Sequence, residues 1–131
     1  MLQSNRVKLV VLDQNLKALH DICRLTAPWF DTIPTPDPRE AMARLQQDQS
    51  VKVFLTEQIL SNTTGIALLG SIRSMRPDVR RVLMCDDGEL APVIEGLHSG
   101  AIGRLLYKPF QPNQLLAAVG VATATAARAT A

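Results

Sequence analysis

Short, nearly continuous apolar runs recur along the chain and indicate buried parallel strands. Four of them occupy residues 7–12, 51–56, 81–85 and 104–107. Runs without polar alternation are typical of strands that are covered on both faces of a sheet. A weaker fifth run, residues 29–33, is surrounded by prolines, which cannot donate to a hydrogen-bond ladder. We therefore expect the fifth run to form a strand at an edge of the sheet.

Apolar residues at helical spacing separate these runs. The inward positions that the spacing predicts are Leu16, Leu19 and Cys23; Ala41 and Leu45; Ile66, Leu69 and Ile72; Val93, Ile94 and Leu97; and Leu115, Leu116 and Val119. Pro28 is placed to end the first helix, Pro38 to begin the second, and Gly100 to cap the fourth in the left-handed conformation. Five strand–helix units with right-handed crossovers predict an α/β fold with a doubly wound five-stranded parallel sheet. The expected architecture is a flavodoxin-like (βα)5 domain of strand order 2-1-3-4-5.

Length and composition favour one domain. The chain has 131 residues, of which 47% are hydrophobic and 4% aromatic, as suits a compact α/β core. We expect a domain over residues 1–121, followed by an extension rich in Ala and Thr over residues 122–131. Cys23 and Cys85 lack the spacing of metal ligands and are interpreted as reduced thiols.

Charge does not point to a polyanionic partner. The 14 basic and 12 acidic residues give a net charge of +2 and form no Lys or Arg run, so we expect no direct contact with nucleic acid and none with a membrane. Near the N-terminus the apolar run at residues 9–12 is much shorter than a signal-peptide core or the ~20 residues of a membrane span. We therefore expect a cytoplasmic location.

The candidate chemistry lies at the ends of the predicted strands. In open α/β sheets, ligands bind in the crevice beyond the carboxyl ends of the strands. Asp13 follows the first strand, Glu57 the third, Cys85 the fourth and Lys108 the fifth. These residues are far apart in sequence, but we expect them to lie close together in the folded domain.

A family pattern surrounds these positions. Lys108, Pro109 and Phe110 follow the fifth strand, a Gly–Ala step at Gly100 and Ala101 precedes it, and residues 53–65 form the third strand with its loop. With this spacing, residues 7–121 resemble the receiver domains of two-component response regulators. In that family an acidic pair after the first strand and an acceptor Asp after the third hold Mg²⁺. A hydroxyl after the fourth strand and a Lys after the fifth contact the phosphoryl group.

The resemblance implies a degenerate, pseudo-receiver site. It assigns the acidic pair to Leu12 and Asp13, the phosphoacceptor-equivalent position to Glu57, the switch-equivalent positions to Cys85 and Leu105, and the phosphate contact to Lys108. A glutamate carries its carboxylate one methylene further from the backbone than aspartate does, which disrupts the geometry for in-line attack. Two carboxylates are a weak ligand set for Mg²⁺. We therefore expect no catalytic residue, no metal site, no cofactor beyond weak Mg²⁺, and no enzymatic activity.

Structural alternatives stay open for four of these residues. Asp13 suits a cap of the first helix, because its carboxylate can accept backbone N–H bonds there. Glu57 and Lys108 suit a plain ion pair across the crevice. Cys85 is interpreted as an inert core thiol, with a redox-sensitive thiol of lowered pKa beside Lys108 as the alternative.

Three functional hypotheses follow from the resemblance. The first is a phosphorylation-independent protein–protein interaction module of a two-component pathway, with a histidine kinase, an output domain or another receiver as partner. The alternative is a receiver held in an active-like state by Glu57 as a partial phosphoaspartate mimic; residual phosphotransfer through Asp13 or Glu57 is a third, enzymatic possibility. The resemblance places the working surface, and a possible homodimer, on the fourth helix, fifth strand and fifth helix. The candidate interface residues there are Leu90, Glu95, Arg104 and Gln114.

Overall fold

Strands and helices alternate along the chain in a computed structural model that describes residues 6–121. The strands are β1 (Val7–Leu12), β2 (Phe30–Thr35), β3 (Val51–Glu57), β4 (Arg80–Cys85) and β5 (Arg104–Tyr107). The helices are α1 (Leu16–Thr26), α2 (Pro38–Gln47), α3 (Gly65–Met75), α4 (Leu90–Ser99) and α5 (Pro112–Val119). A small hairpin, Ile59–Leu60 with Thr63–Thr64, and a 3₁₀ turn, Asp87–Glu89, complete the described elements. The predicted extension at residues 122–131 lies outside the described residues.

The five long strands form one parallel sheet of order β2-β1-β3-β4-β5, which confirms the predicted fold. The weak fifth run forms the edge strand β2, as expected, although β2 begins one residue later than predicted and extends to Thr35. It contains Pro34 opposite Val11. A proline is tolerated there because an edge strand has one side without a ladder partner.

Helices cover both faces of the sheet, which explains why the strand sequences are continuously apolar. One core contains Leu9 and Val11 of β1, Leu19 and Ile22 of α1, and Leu115 and Val119 of α5. The opposite core contains Val10 and Leu12 of β1, Leu45 of α2, Leu69 and Ile72 of α3, and Val93 of α4. Alternate residues of one strand therefore point into different cores, and Leu12 belongs to the second of them.

The helix boundaries agree with the sequence signals, but some predicted inward positions were wrong. Helix α1 ends before Pro28, α2 begins at Pro38, and Gly100 caps α4 with a φ of 82°. By contrast, Leu16 is 69% exposed, Ile94 48% and Leu97 47%.

Close packing explains the orientation of α4. The helix buries Val93 and Gly96, and a Cβ at Gly96 would lie 2.6 Å from Cδ1 of Ile102. Because Ile102 packs directly on Gly96, the side of α4 that carries Ile94 and Leu97 faces away from the core. With the exposed Leu90 they form what we call the α4 stripe, a row of apolar side chains on the surface.

A buried arginine holds the turn between α2 and β3. The guanidinium of Arg76, which is 4% exposed, donates to the carbonyl oxygens of Leu45 and Val51, both at 2.7 Å. It also lies 2.9 Å from a carboxylate oxygen of Asp78. The backbone acceptors at the start of β3 are thus satisfied by a side chain that follows α3.

Candidate functional site

The predicted strand-end residues meet at the carboxyl edge of the sheet. Nζ of Lys108 lies 4.0 Å from Oε1 of Glu57, and the Lys108 backbone N–H donates to the Cys85 carbonyl at 2.9 Å. The carboxyl group of Asp13 lies close enough to Glu57 to raise the pKa of Glu57. Four positions that span almost a hundred residues of sequence therefore form one small polar cluster, as predicted for strand ends of a parallel sheet.

Asp13 supports the turn that leads from β1 into α1. It is almost fully buried, and its Oδ1 accepts the backbone N–H of Asn15 at 2.9 Å. The cap of α1 is Asn15 itself, whose Oδ1 accepts from the Ala18 N–H at 3.0 Å. The interpretation of Asp13 as the helix cap is therefore wrong. Its carboxyl group faces Glu57 instead.

Gln14, rather than Leu12, borders the crevice beside Asp13. Leu12 has no exposed surface and packs in the core, so its side chain does not line the crevice, and its equivalence to one residue of the acidic pair stays a prediction. The Gln14 backbone N–H donates to Oε2 of Glu57 at 2.5 Å. Its side chain donates to the Pro36 carbonyl at 3.2 Å and accepts from the Ser61 backbone N–H at 2.9 Å.

Sequence reasoning missed Gln14 because it placed the acidic pair at Leu12 and Asp13. The alternation of side chains along β1 could have shown that Leu12 points into the core, since it continues the apolar face that Val10 begins. The Gln14 side chain links the end of β1 to the loop after β3, because its amide oxygen accepts from Ser61. The neutral amide of Gln14 lies at the opening of the crevice.

Glu57 is an unusually weak acid in this environment. Burial of its side chain, followed by the hydrogen bond with Asp13, raises the pKa of Glu57 from its ordinary 4.5 to about 7, against the opposing effects of the Gln14 N–H and Lys108. The two neighbouring carboxyl groups favour a state in which one of them keeps its proton. Near neutral pH, Glu57 therefore carries only part of a negative charge.

Cys85 is a buried thiol, and burial raises its pKa; Glu89 and Asp86 raise it further. A thiol with a raised pKa stays protonated at neutral pH and is a poor nucleophile. The alternative of a redox-sensitive thiol with a lowered pKa is therefore wrong, and the structure favours a core residue. Leu105 is half-buried and packs against the core that contains Leu12.

The donor set of the crevice matches Mg²⁺ poorly. Within residues 6–121 no group of three or more His, Cys, Asp and Glu side chains is arranged to hold a metal ion. Asp13 already accepts the Asn15 N–H, and the Gln14 amide oxygen already accepts from Ser61. A hard cation that prefers several oxygen ligands would have to break these bonds to enter.

The candidate interface residues all lie on the surface. Leu90, Glu95, Arg104 and Gln114 are exposed, and the α4 stripe adds Ile94 and Leu97 beside them. Exposure makes these side chains available, while their role in an interface remains a prediction. No helix in the described part of the chain is both long and apolar enough to span a bilayer.

Two curated relatives are regulatory proteins. One is the hydrogenase transcriptional regulatory protein HoxA of Bradyrhizobium diazoefficiens, 24% identical over 111 residues, which are 85% of this chain and 23% of HoxA. The protein of the same name from Cupriavidus necator is 23% identical over 115 residues, or 88% of this chain and 24% of the relative. The chain thus spans about a quarter of the length of these relatives.

Solved structures with the same fold include a signal receiver domain of an HD domain-containing protein from Pseudomonas fluorescens Pf-5. It has a TM-score of 0.82 and 22% identity, and the alignment covers 100% of this chain and 98% of that one. A response regulator receiver domain protein from Clostridium thermocellum has a TM-score of 0.81 and 19% identity over 94% of this chain and 98% of that one. In sequence, residues 15–120 match the family described as the response regulator receiver domain. Because that match covers most of the chain, the protein belongs to the response regulator receiver domain family.

Proposed function

We propose that this receiver domain is a pseudo-receiver, which acts as a phosphorylation-independent interaction module in a two-component pathway. The observation that carries the proposal is the state of Glu57. Its carboxyl group is held by the Gln14 N–H at 2.5 Å and by Asp13. A glutamate at the acceptor position displaces the reacting oxygen by about one methylene, and a misplacement of about 1 Å costs on the order of 10²-fold in rate.

The surrounding groups also give little support to a phosphoryl group. Cys85 offers a buried thiol, a weaker hydrogen-bond partner than a hydroxyl. Lys108 is directed at Glu57, and Gln14 supplies a neutral amide beside Asp13. We infer that Mg²⁺ binds weakly at most and that the domain performs no phosphotransfer of its own.

The α4 stripe supports a docking role that needs no switch. Leu90, Ile94 and Leu97 expose an apolar row on one helix, and Tyr107 of β5 is also exposed. Leu105 has no polar tip that would favour one of two positions, so this surface is expected to keep one form. We propose a histidine kinase, an output domain or another receiver as the partner, and a homodimer through α4, β5 and α5 as the form of self-association.

The relatives favour an output domain among these partners. The two HoxA proteins are named as transcriptional regulatory proteins, and this chain spans only about a quarter of each. A receiver-like domain of this size would then regulate an output domain, attached or separate, through a protein contact. Neither nucleic acid nor a membrane is proposed as a direct partner of the receiver itself.

A second candidate is a receiver held in an active-like state by Glu57. The 4.0 Å approach of Lys108 to Glu57 favours it, since a lysine at this position would contact a phosphorylated acceptor. Its weakness is charge: a carboxyl with a pKa of about 7 carries part of one negative charge at neutral pH, whereas a phosphoryl group carries about −1.5 to −2. The fixed module is therefore the function that the site supports best.

Sedimentation velocity on the whole chain separates the candidates. We expect the same assembly with and without phosphoramidate and Mg²⁺, and the same assembly for Glu57→Gln, because the fixed module does not use the charge of Glu57. A donor-dependent change in the assembly contradicts the proposal. Loss of assembly in Glu57→Gln alone, with native folding by circular dichroism, selects the active-like receiver instead.

A further inference from the structure

Four arginines crowd the end of the sheet that is opposite to Glu57. Arg80 and Arg81 begin β4, Arg104 begins β5, and Arg73 lies in the last turn of α3. We call this group the arginine edge. It was invisible as a charge run in sequence, because its members come from three different elements.

Neutral carbonyl groups orient three of the four guanidinium groups. The acceptors are Ala118 for Nε of Arg80 at 2.8 Å, Ala101 for Nε of Arg81 at 3.0 Å, and Ser99 for Nη1 of Arg73. These carbonyls lie at or just beyond the C-terminal ends of α4 and α5, where the helix dipole is negative. A guanidinium has five N–H donors. These three arginines are therefore held in place and still have N–H groups free to bind a ligand.

The arginine edge lacks a compensating negative charge. Within residues 6–121 none of its four guanidinium groups has a carboxylate oxygen within 4.0 Å. Burial and then the charge of Arg104 lower the pKa of Arg80; burial and then the charge of Arg73 lower that of Arg81. Arg80 is therefore close enough to Arg104, and Arg81 close enough to Arg73, for each pair of cations to repel.

A shallow open cavity of about 360 Å³ lies among these side chains. Arg80, Arg81 and Arg104 line it together with Gly103, and among the described residues Asp78 is the one acidic residue on its wall. The Asp78 carboxylate is already bound by Arg76 and Lys52, each at 2.9 Å. It does not neutralise the arginine edge.

We propose that the arginine edge is a docking site for an acidic segment of a partner protein, one with closely spaced Asp and Glu side chains. Arginine binds carboxylates in a paired, planar geometry, and oriented cations without local partners gain the most from such contacts. Separate carboxylates can each meet one guanidinium and avoid Asp78. A nucleic acid fits less well, because none of the described residues that line the cavity is aromatic and could stack on bases.

This inference goes beyond the proposed function and does not depend on the chemistry of Glu57. It is tested by fluorescence anisotropy with the full chain and a labelled hexaglutamate peptide at low salt, with hexaglutamine and a short oligothymidylate as comparison probes. The variant is Arg104→Glu, since Arg104 is exposed and its side chain makes no hydrogen bond within residues 6–121. Because Arg104 is also a candidate interface residue, sedimentation of the variant separates a loss of peptide binding from a change in self-association. The matched control is Arg39→Glu, the same charge change at an exposed position of α2.

We expect hexaglutamate to bind, hexaglutamine not to bind, and the affinity to fall as salt is added. Arg104→Glu should weaken binding by roughly tenfold, and Arg39→Glu by less than about twofold. A second variant, Arg73→Gln, should weaken binding several-fold and guards against a folding defect in the first. Equal losses at Arg104 and Arg39, no binding of hexaglutamate, or tighter binding of oligothymidylate would each overturn the proposal.

Discussion

Replacing Glu57 by Gln should stabilise the domain above neutral pH and leave its stability unchanged in mild acid. The reason is that burial and Asp13 raise the pKa of Glu57 from 4.5 to about 7. Between these two values the native state binds more protons than the unfolded chain, so the free energy of unfolding falls as pH rises. The stability from the protonated carboxyl is complete below the unfolded pKa and is lost as pH passes through about 7.

The size of the effect follows from the two pKa values. One pKa unit corresponds to about 1.4 kcal/mol, so ionisation of Glu57 in the fold costs on the order of 3 kcal/mol. The side chain retains 15% exposure, and solvent screening reduces the expected cost to about 2 kcal/mol. A glutamine cannot ionise, while its amide oxygen can still accept the Gln14 N–H and its amide N–H can face Asp13. Glu57→Gln should therefore gain about 2 kcal/mol at about pH 8 and close to nothing at about pH 5.

Urea unfolding followed by circular dichroism from about pH 5 to about pH 8 measures this difference. Subtracting the variant from the unmodified protein at each pH cancels the titration of groups that do not interact with Glu57. The control is Glu95→Gln, which makes the same substitution at an exposed glutamate of α4. The reasoning is refuted if the Glu57→Gln difference changes with pH no more than the Glu95→Gln difference does, or if the variant is the less stable protein at the alkaline end.

Four further predictions concern the Glu57–Lys108 pair, the binding of Mg²⁺, the buried Arg76 and the α4 stripe. Lys108→Ala should lose up to about 1 kcal/mol at about pH 8 and nothing at about pH 5, where Glu57 is protonated; an equal loss at both pH values in urea unfolding would show that Lys108 acts through packing. Millimolar Mg²⁺ should leave the melting temperature in differential scanning fluorimetry unchanged, because stabilisation requires a concentration above Kd; a rise of several degrees would reveal a competent cation site. Arg76→Met should cost about 3–5 kcal/mol in urea unfolding, since it strands buried carbonyls, whereas Arg44→Met should cost less than about 1; similar costs would contradict the role given to Arg76. Ile94→Glu should abolish self-association in sedimentation while Gln46→Glu, an exposed control on α2, should not; an unchanged assembly in Ile94→Glu excludes the α4 stripe.

The fold was largely predictable from sequence because the three central strands, β1, β3 and β4, are covered on both faces along most of their length. Such strands must be apolar along their whole length, and the intervening helices follow from spacing. The faces of α4 were not predictable in the same way. Leu90, Val93, Ile94 and Leu97 surround much of the helix, and only the contact between Gly96 and Ile102 decides which of them is buried.

The site was predictable in position but not in chemistry. Strand ends of a parallel sheet meet, so Asp13, Glu57 and Lys108 could be brought together from sequence. Leu12 was placed in the site because the family pattern was matched there, although the apolar alternation of β1 directs its side chain into the core. The hydrogen bond of Gln14 to Glu57, and the carboxyl pair that raises the pKa of Glu57, depend on distances between segments about 43 residues apart.

Intact mass spectrometry after incubation with phosphoramidate and Mg²⁺ tests the central claim most directly. The matched variant is the double substitution Gln14→Asp with Glu57→Asp, which shortens the acceptor side chain and adds a second carboxylate beside Asp13. The account predicts no adduct on the unmodified protein, and a gain of about 80 Da, the mass of one phosphoryl group, on the double variant. An adduct of that mass on the unmodified protein that is lost in Glu57→Gln would contradict the account, because Glu57 would then be a working phosphoacceptor.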